Sequence, residues 1–249
     1  FTNIQNKIQD LTLVLEESLI AKPSTSTDTD NKVSFDGLDA IAPLGYSAWG
    51  PNAVLSNIKV KTADDKYIQA AMPGGLVSWA YGDAKFENCQ FSGQIKVWLP
   101  EGVGTDALRY AGGIAAMAER ATFSGCLFHT SSGAFTVYNE GQHSVYCGGI
   151  LGGVGFRDNS SRQQPSVILK ECGSALMETS DKKGALIGHS SYDTRSTAGN
   201  QEASGINSDQ CEGNWWEENY RAIGTTYNGI TDVKTVGQRN SVMPTFISF

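Results

Sequence analysis

The apolar residues of this chain fall in short runs between polar and glycine-rich stretches, and one run returns at nearly constant spacing. Gly75-Leu76-Val77-Ser78-Trp79-Ala80 is echoed by Gly113-Ile114-Ala115-Ala116-Met117-Ala118, by Gly149-Ile150-Leu151-Gly152-Gly153-Val154 and by Ala185-Leu186-Ile187-Gly188-His189-Ser190. Two weaker copies flank these, Ala40-Ile41-Ala42-Pro43-Leu44-Gly45 and Ala222-Ile223-Gly224-Thr225-Thr226-Tyr227. With the small first residue as anchor, successive copies lie 35, 38, 36, 36 and 37 residues apart. A fixed period between roughly 20 and 50 residues marks a solenoid, whose unit cannot bury its apolar face alone and stacks on its neighbours to do so.

Each run is too short for a helix and rich in Gly and β-branched residues, so the unit reads as a strand. Ile41, Leu76, Ile114, Ile150, Leu186 and Ile223 form a column of large aliphatics. Two positions on, Pro43, Ser78, Ala116, Gly152, Gly188 and Thr225 form a small column. Residues two apart in a strand share a face, so both columns read as inward, with small residues where the section is narrow. The opposite facing stays open, because Val77, Leu151 and Ile187 are also apolar.

A second motif keeps the same period. Lys85-Phe86-Glu87-Asn88-Cys89-Gln90-Phe91 is matched by Thr122-Phe123-Ser124-Gly125-Cys126-Leu127-Phe128 and by Ile168-Leu169-Lys170-Glu171-Cys172. Leu55-Ser56-Asn57-Ile58 and Ser208-Asp209-Gln210-Cys211 fit its register, giving a core column of Ile58, Cys89, Cys126, Cys172 and Cys211. A third run follows, as in Ile95-Lys96-Val97-Trp98-Leu99 and Phe135-Thr136-Val137-Tyr138. Three short strands per turn predict an all-β, right-handed parallel β-helix of about six coils with a period of about 36 residues. At about 4.8 Å per coil, six coils make a rod roughly 29 Å tall.

One domain over residues 1–249 is expected, with 1–34 an N-terminal coil or cap plus a polar loop, 35–240 the coils, and 241–249 a C-terminal cap or docking strand. Ile8, Leu11, Leu13 and Leu15 mix strand and helix spacing; the β-rich Leu11-Thr12-Leu13-Val14-Leu15 favours strand over a capping helix across 4–21, with Ile8-Gln9-Asp10-Leu11 matching Phe86-Glu87-Asn88-Cys89. Loops are expected at 22–34, 63–70, 100–109 and 139–145, and polar insertions at 156–165 and 192–205 project from one edge of the rod. The apolar tail through Val242, Phe246, Ile247 and Phe249 is a candidate for end-docking.

A formal charge of −7 with no basic cluster argues against a nucleic-acid partner. No run approaches the roughly 18 apolar residues of a membrane span. The five cysteines (89, 126, 147, 172 and 211) contain no CxxC pair, and His129, His143 and His189 are scattered, so no metal site is expected; a buried ladder of small side chains accounts for the cysteines. No cofactor motif is present: Gly148 to Gly155 has the glycine content of a nucleotide loop but no following Lys-Ser/Thr.

Gly74-Gly75-Leu76-Val77 and Asn88-Cys89-Gln90-Phe91-Ser92-Gly93 together resemble the GLUG-type and related right-handed β-helix repeats of bacterial surface and secreted proteins, over roughly residues 35–190. The chain departs from that pattern where Ser78 and Ala116 replace a glycine and where Gly125 and Glu171 replace Asn88. The resemblance implies an exported adhesive, binding or structural module.

Parallel β-helices also include polysaccharide lyases and glycosidases, which act through paired carboxylates. Asp83 and Glu119, after the first strand of successive coils, are the candidate pair, beside Lys85 and Arg120 that read as solvated turn charges. No catalytic residue is assigned. Trp79 falls in a column Leu44, Trp79, Met117, Gly153, His189, Tyr227 that faces outward if Leu76 faces in. With Tyr81, Trp98, Trp215, Trp216 and Tyr220 it is a candidate sugar-stacking or protein-docking surface, the competing reading being that Trp98, Trp215 and Trp216 pack under loops or cap an end. The sequence therefore points to a secreted or cell-surface, non-catalytic structural or adhesive module. Its expected partners are its own copies or another surface protein, with polysaccharide a further candidate. A carbohydrate-active β-helix enzyme is the alternative.

Overall fold

The computed structural model describes residues 3–21, 40–98, 109–130, 135–138, 145–155, 166–175, 183–190, 205–226 and 236–245. In chain order the strands begin with β1 (Asn3–Ile4), β2 (Ile8–Leu15) and β3 (Leu19–Ile20). Then come β4 (Ala40–Ile41), β5 (Gly45–Trp49), β6 (Val54–Thr62), β7 (Tyr67–Ala70) and β8 (Met72–Pro73). A third pass supplies β9 (Val77–Tyr81), β10 (Ala84–Glu87), β11 (Gln90–Ser92), β12 (Gln94–Trp98) and β13 (Arg109–Gly112). A fourth supplies β14 (Ala115–Ala118), β15 (Arg120–Ser124), β16 (Leu127–His129), β17 (Phe135–Tyr138) and β18 (Val145–Gly148). The rest are β19 (Leu151–Val154), β20 (Ser166–Lys170), β21 (Gly173–Ala175), β22 (Lys183–Gly184), β23 (Ile187–Ser190) and β24 (Ile223–Thr226).

The protein is all-β, and every strand pair among the described residues is parallel. One seven-stranded sheet runs β1-β5-β9-β14-β19-β23-β24. Beside it β20-β15-β10-β6-β11-β16-β21 form a sheet that β2 joins through β6; β17-β12-β7-β3, β13-β18-β22 and β4-β8 complete the set. The chain visits these sheets in a recurring order, so each strand pairs with its counterparts one pass earlier and one pass later.

The registers test the repeat. Val77 pairs with Ala115, Ala115 with Leu151 and Leu151 with Ile187, steps of 38, 36 and 36, as the four strong copies predict. The flanking copies are corrected. Gly45 pairs with Val77, a step of 32, so Leu44 and not Ile41 stands beside Leu76, while Ile41 pairs with Pro73. Ile187 pairs with Ile223, a step of 36, so Ala222 stands beside Leu186. The N-terminal segment is strand, as expected, with Ile8 on Leu55 and Leu11 on Ile58. The expected loop over 63–70 is a turn followed by β7.

The small column answers to backbone. A side chain added at Gly152 would meet the Ala111 nitrogen at 2.4 Å, and one at Gly188 the Cys147 nitrogen at 2.6 Å. Sheet β13-β18-β22 thus lies directly against this face, and only Ser, Ala or Gly fits between. Both faces of the repeated strand are shielded, with Leu76, Val77 and Ser78 at 0% exposure.

Behind the second motif the core is a ladder of large side chains. Leu55, Phe86, Phe123 and Leu169 are in register and fully buried, with the Phe86 and Phe123 rings 4.7 Å apart and 14° from parallel. Phe91 and Phe128 stack at 6.0 Å on the next strand. Three of the thiols continue the pattern. Cys89 Sγ donates to Leu55 O (3.3 Å), Cys126 Sγ to Phe86 O (3.5 Å) and Cys172 Sγ to Phe123 O (3.4 Å), each reaching back one pass. Cys211 leaves the column: Glu212 bridges Lys170, which sets Cys211 beside Leu169 and Asn214 beside Cys172. Asn214, fully buried, accepts from Cys172 N and donates to Leu169 O and Val236 O, all at 2.9 Å.

Just before this column the chain turns a corner with positive φ on every pass. Asp10 (55°), Asn57 (54°), Asn88 (52°), Gly125 (62°), Glu171 (52°) and Gly213 (65°) occupy it. Asn57 Nδ2 donates to Asp10 Oδ1 at 2.9 Å and Asn88 Nδ2 to Asn57 Oδ1 at 3.4 Å, a short side-chain ladder along the corner. Asn and Asp adopt the left-handed region readily, whereas Glu171 holds it at a cost in strain. Glu171→Asn is therefore expected to stabilise the fold by about 1 kcal/mol, read as a higher urea midpoint at unchanged slope.

The thiols give a second test. The Cys126 thiol, and then burial, push Cys89 well above its ordinary pKa; burial, and then the Cys172 thiol, do the same for Cys126; burial raises Cys211. None of the five cysteines is in a disulfide, and all are buried. The native chain should leave a disulfide-exchange thiol reagent unreacted at pH 8 and titrate five thiols only in denaturant. Prompt native reaction would contradict the ladder.

Candidate functional site

The strands β5, β9, β14, β19 and β23 lay out one outward column. Its register is Ser47, Trp79, Met117, Gly153, His189, Thr225. This corrects the column read from spacing, in which Leu44 and Tyr227 held the end places. Two residues further along the strands, Trp49 pairs with Tyr81. Their rings lie 6.1 Å apart and 22° from parallel. Trp49 is 45% exposed and Tyr81 buried, so the pair makes a shelf open on the Trp49 side, with half-buried Trp79 two residues before Tyr81 on the same strand. The turn beneath is fitted to the indole: at Gly82, φ +67°, an added Cβ would lie 2.6 Å from Trp49 Cδ1.

The same band continues toward later passes and becomes buried. Where the column has Gly153, the ring of Tyr110 fills the space, and a Cβ there would meet it at 2.4 Å. Tyr110 stacks on Tyr146 at 6.0 Å, and Tyr146 lies 4.2 Å from the His189 ring. Met117, Tyr110 and His189 are all less than a tenth exposed. His189 Nδ1 is buried without a hydrogen-bond partner among the described residues, and burial lowers its pKa to about 4.

The two candidate carboxylates have different surroundings. Arg120 donates to both oxygens of Asp83, Nε to Oδ1 at 3.1 Å and Nη2 to Oδ2 at 2.5 Å. Asp83 is thereby held in an ion pair across the turn, partly open to solvent. Glu119 is 6% exposed and follows Ala118, the register partner of Ala80, so it stands beside the Trp49–Tyr81 position and not beside Asp83.

The other aromatic candidates lie elsewhere. Trp215 and Trp216 are 6% and 5% exposed, on the pass that bridges β21 through Gly173 and Trp215, and Tyr220 is half-buried against the core. Trp98 pairs with Tyr138 along the backbone, its side chain outside the described residues. Trp215 and Trp216 are thus buried, while Trp79 and Tyr81 lie two residues apart on β9 with Trp49 stacked on Tyr81. Trp49 escaped the sequence reading because its place depends on the 32-residue step. Tyr110 and Tyr146 carried a usable signal, since each stands three residues before a glycine anchor. Among the end-docking candidates Val242 is 70% exposed, with Met243 beside it at 51%; Phe246, Ile247 and Phe249 lie outside the described residues.

No family model, curated protein or solved structure matches this chain. No helix among the described residues is long and apolar enough to cross a membrane. Among them, no group of three or more His, Cys, Asp and Glu is placed to hold a metal ion.

His189 makes the band sensitive to acid. Its ordinary pKa of 6.5 applies to the unfolded chain, and the folded value is about 4. As pH falls from 6.5 to 4 the unfolded chain takes up a proton that the folded one refuses, so stability is lost across that window, by about 3 kcal/mol in total. His189→Phe keeps an aromatic ring against Tyr146 and should remove this part of the pH dependence. Urea unfolding of both proteins at pH 7, 5.5 and 4.5 measures it; parallel curves would exclude His189 as the cause.

Proposed function

We propose that the parallel sheets close into a right-handed parallel β-helix of about six coils, three short strands to the coil, of the GLUG-like kind, serving as a secreted or cell-surface, non-catalytic structural or adhesive module. Closure is supported by the recurring order of sheets and by a corner that takes positive φ at Asp10, Asn57, Asn88, Gly125, Glu171 and Gly213. Adhesion is carried by one observation. The exposed Trp49 ring forms a near-parallel pair with Tyr81, a flat apolar surface of the kind that stacks on a sugar ring or receives a protein side chain. Binding is favoured over glycan cleavage because the acids flanking the shelf do not form a facing pair: Asp83 is tied to Arg120 and Glu119 sits inward of it.

The test is affinity electrophoresis against a panel of neutral polysaccharides, with product analysis of the same mixtures. A binding module is retarded by at least one polymer, Trp49→Ala weakens that retardation about ten-fold or more, and no new reducing or unsaturated ends appear. Release of such ends, abolished by Glu119→Gln, would overturn the reading in favour of the enzyme.

A further inference from the structure

The indole of Trp49 lies across the stack. Its strand partner on the next pass is Tyr81, and a side chain built on the following residue, Gly82, would meet indole Cδ1 at 2.6 Å and Nε1 at 2.9 Å. The ring therefore covers the turn at the place from which a side chain would project, and its opposite face is left to solvent, with the residue 45% exposed. Next along that turn is Asp83, exposed and at φ +71°. Its carboxylate is anchored one residue, about 3.8 Å between α-carbons, from the glycine that the indole covers. From the pass after that, Arg120 donates Nε to Oδ1 at 3.1 Å, and Nη2 to Oδ1 at 2.6 Å and to Oδ2 at 2.5 Å. Indole, carboxylate and guanidinium thus follow one another along one edge.

We propose that this edge is a subsite for one pyranose ring of a neutral polysaccharide, the indole taking the apolar face of the sugar and the Asp83–Arg120 pair taking two neighbouring hydroxyls at its rim. The inference rests on the reading of the shelf as an adhesive surface, and it names what the shelf holds and which side chains select it. A hydroxyl both donates and accepts, so two adjacent hydroxyls are matched by an acceptor and a donor placed side by side. The ion pair offers both. A carboxylate has about four lone-pair positions and a guanidinium five N–H groups. The contacts to Asp83 come from Nε and Nη2 and leave Nη1 outside the pair, and the two side chains remain 54% and 23% exposed. Hydrogen bonds to charged groups are the stronger ones, and two side chains already held against each other lose little freedom when a ligand arrives.

The same pair decides the class of ligand. It carries no net charge, so it favours neither a uronate, which Asp83 repels, nor an amino sugar, which Arg120 repels. An aliphatic side chain of a protein partner would fill the indole face but would shield both charged groups from water without giving them hydrogen bonds, which costs affinity. A neutral sugar satisfies the ring and the pair together.

Affinity electrophoresis of the full chain through gels containing dextran, galactomannan or a mixed-linkage β-glucan tests the proposal, with polygalacturonate as the acidic control. At least one neutral polymer should retard the chain more than polygalacturonate does. The O-methylated form of that polymer keeps its ring faces and loses hydroxyl donors, and it should bind about ten-fold or more weakly. Asp83→Gly removes the carboxylate at a position whose φ suits glycine, and Arg120→Gln removes the guanidinium. Each should weaken retardation about ten-fold with the urea midpoint little changed, because a partly exposed ion pair contributes little to stability.

Retardation that Trp49→Ala abolishes and that both Asp83→Gly and Arg120→Gln leave untouched overturns the subsite and leaves the shelf standing as an adhesive surface. Equal retardation by the O-methylated polymer, or stronger retardation by polygalacturonate, overturns it likewise. Retardation by none of the neutral polymers overturns the adhesive reading and the subsite together.

Discussion

A parallel stack can persist only if every pass repeats the same backbone turn at the same place, and here that constraint is concentrated in one corner. Six residues with φ between 52° and 65° hold it, from Asp10 to Gly213. The turn reverses the alternation of side chains for one residue. It thus lets the strand before it send Leu55, Phe86, Phe123 and Leu169 inward, and the residue after it send Ile58, Cys89, Cys126 and Cys172 inward as well. A residue unable to adopt positive φ would move every subsequent side chain of that pass to the wrong face, because side-chain direction has a period of two. The side-chain ladder from Asp10 through Asn57 to Asn88 then satisfies polar groups along the corner that a lone turn would leave to water.

The same constraint explains the composition of the other columns. Where two sheets approach backbone to backbone, at Gly152 and Gly188, the column admits only glycine, and its other places hold nothing larger than Ser78 and Ala116 on the neighbouring strands. Where the stack is wide, phenylalanines fill it. Cysteine suits the place between, being small, apolar and able to donate weakly to the carbonyl one pass back. The three thiol-to-carbonyl contacts repeat because the backbone repeats, and the ladder stops where the register slips and Asn214 takes the next position.

How much of this was legible follows from where the repeat is strict. The four copies from Gly75 to Ala185 gave the strand, its step and the stacking partners, and the cysteine column gave the second motif as far as Cys172. The ends misled. An anchor of small residues at Ala40 fits the spacing, but Gly45 begins the strand, since Ile41 is engaged by Pro73 in a separate pair. At the other end Cys211 resembles the column in sequence, yet the Lys170–Glu212 and Gly173–Trp215 bridges set it beside Leu169, three residues before Cys172, and a buried amide supplies the polar groups that an irregular pass leaves unpaired. Terminal passes differ from interior ones because they have one neighbour, so their sequence answers to covering an end as well as to stacking. For the same reason the Trp49 shelf was half visible: Trp79 and Tyr81 lie in the strict region, and Trp49 lies one pass outside it.

The outer column argues for a local contact over a repeating one. A stack that binds a periodic ligand along its length needs the same side chain at successive passes, whereas Ser47, Trp79, Met117, Gly153 and His189 share neither size nor polarity. Exposure differs as well: Ser47 is fully buried, Trp79 half-buried, and Met117 and His189 less than a tenth exposed, with the Tyr146 ring against His189. One shelf per chain is a small site, with an aromatic contribution of about 1 kcal/mol beyond area burial, and single contacts of that size dissociate readily. Two shelves held together raise the effective concentration of the second without any new contact, provided both can reach the same ligand.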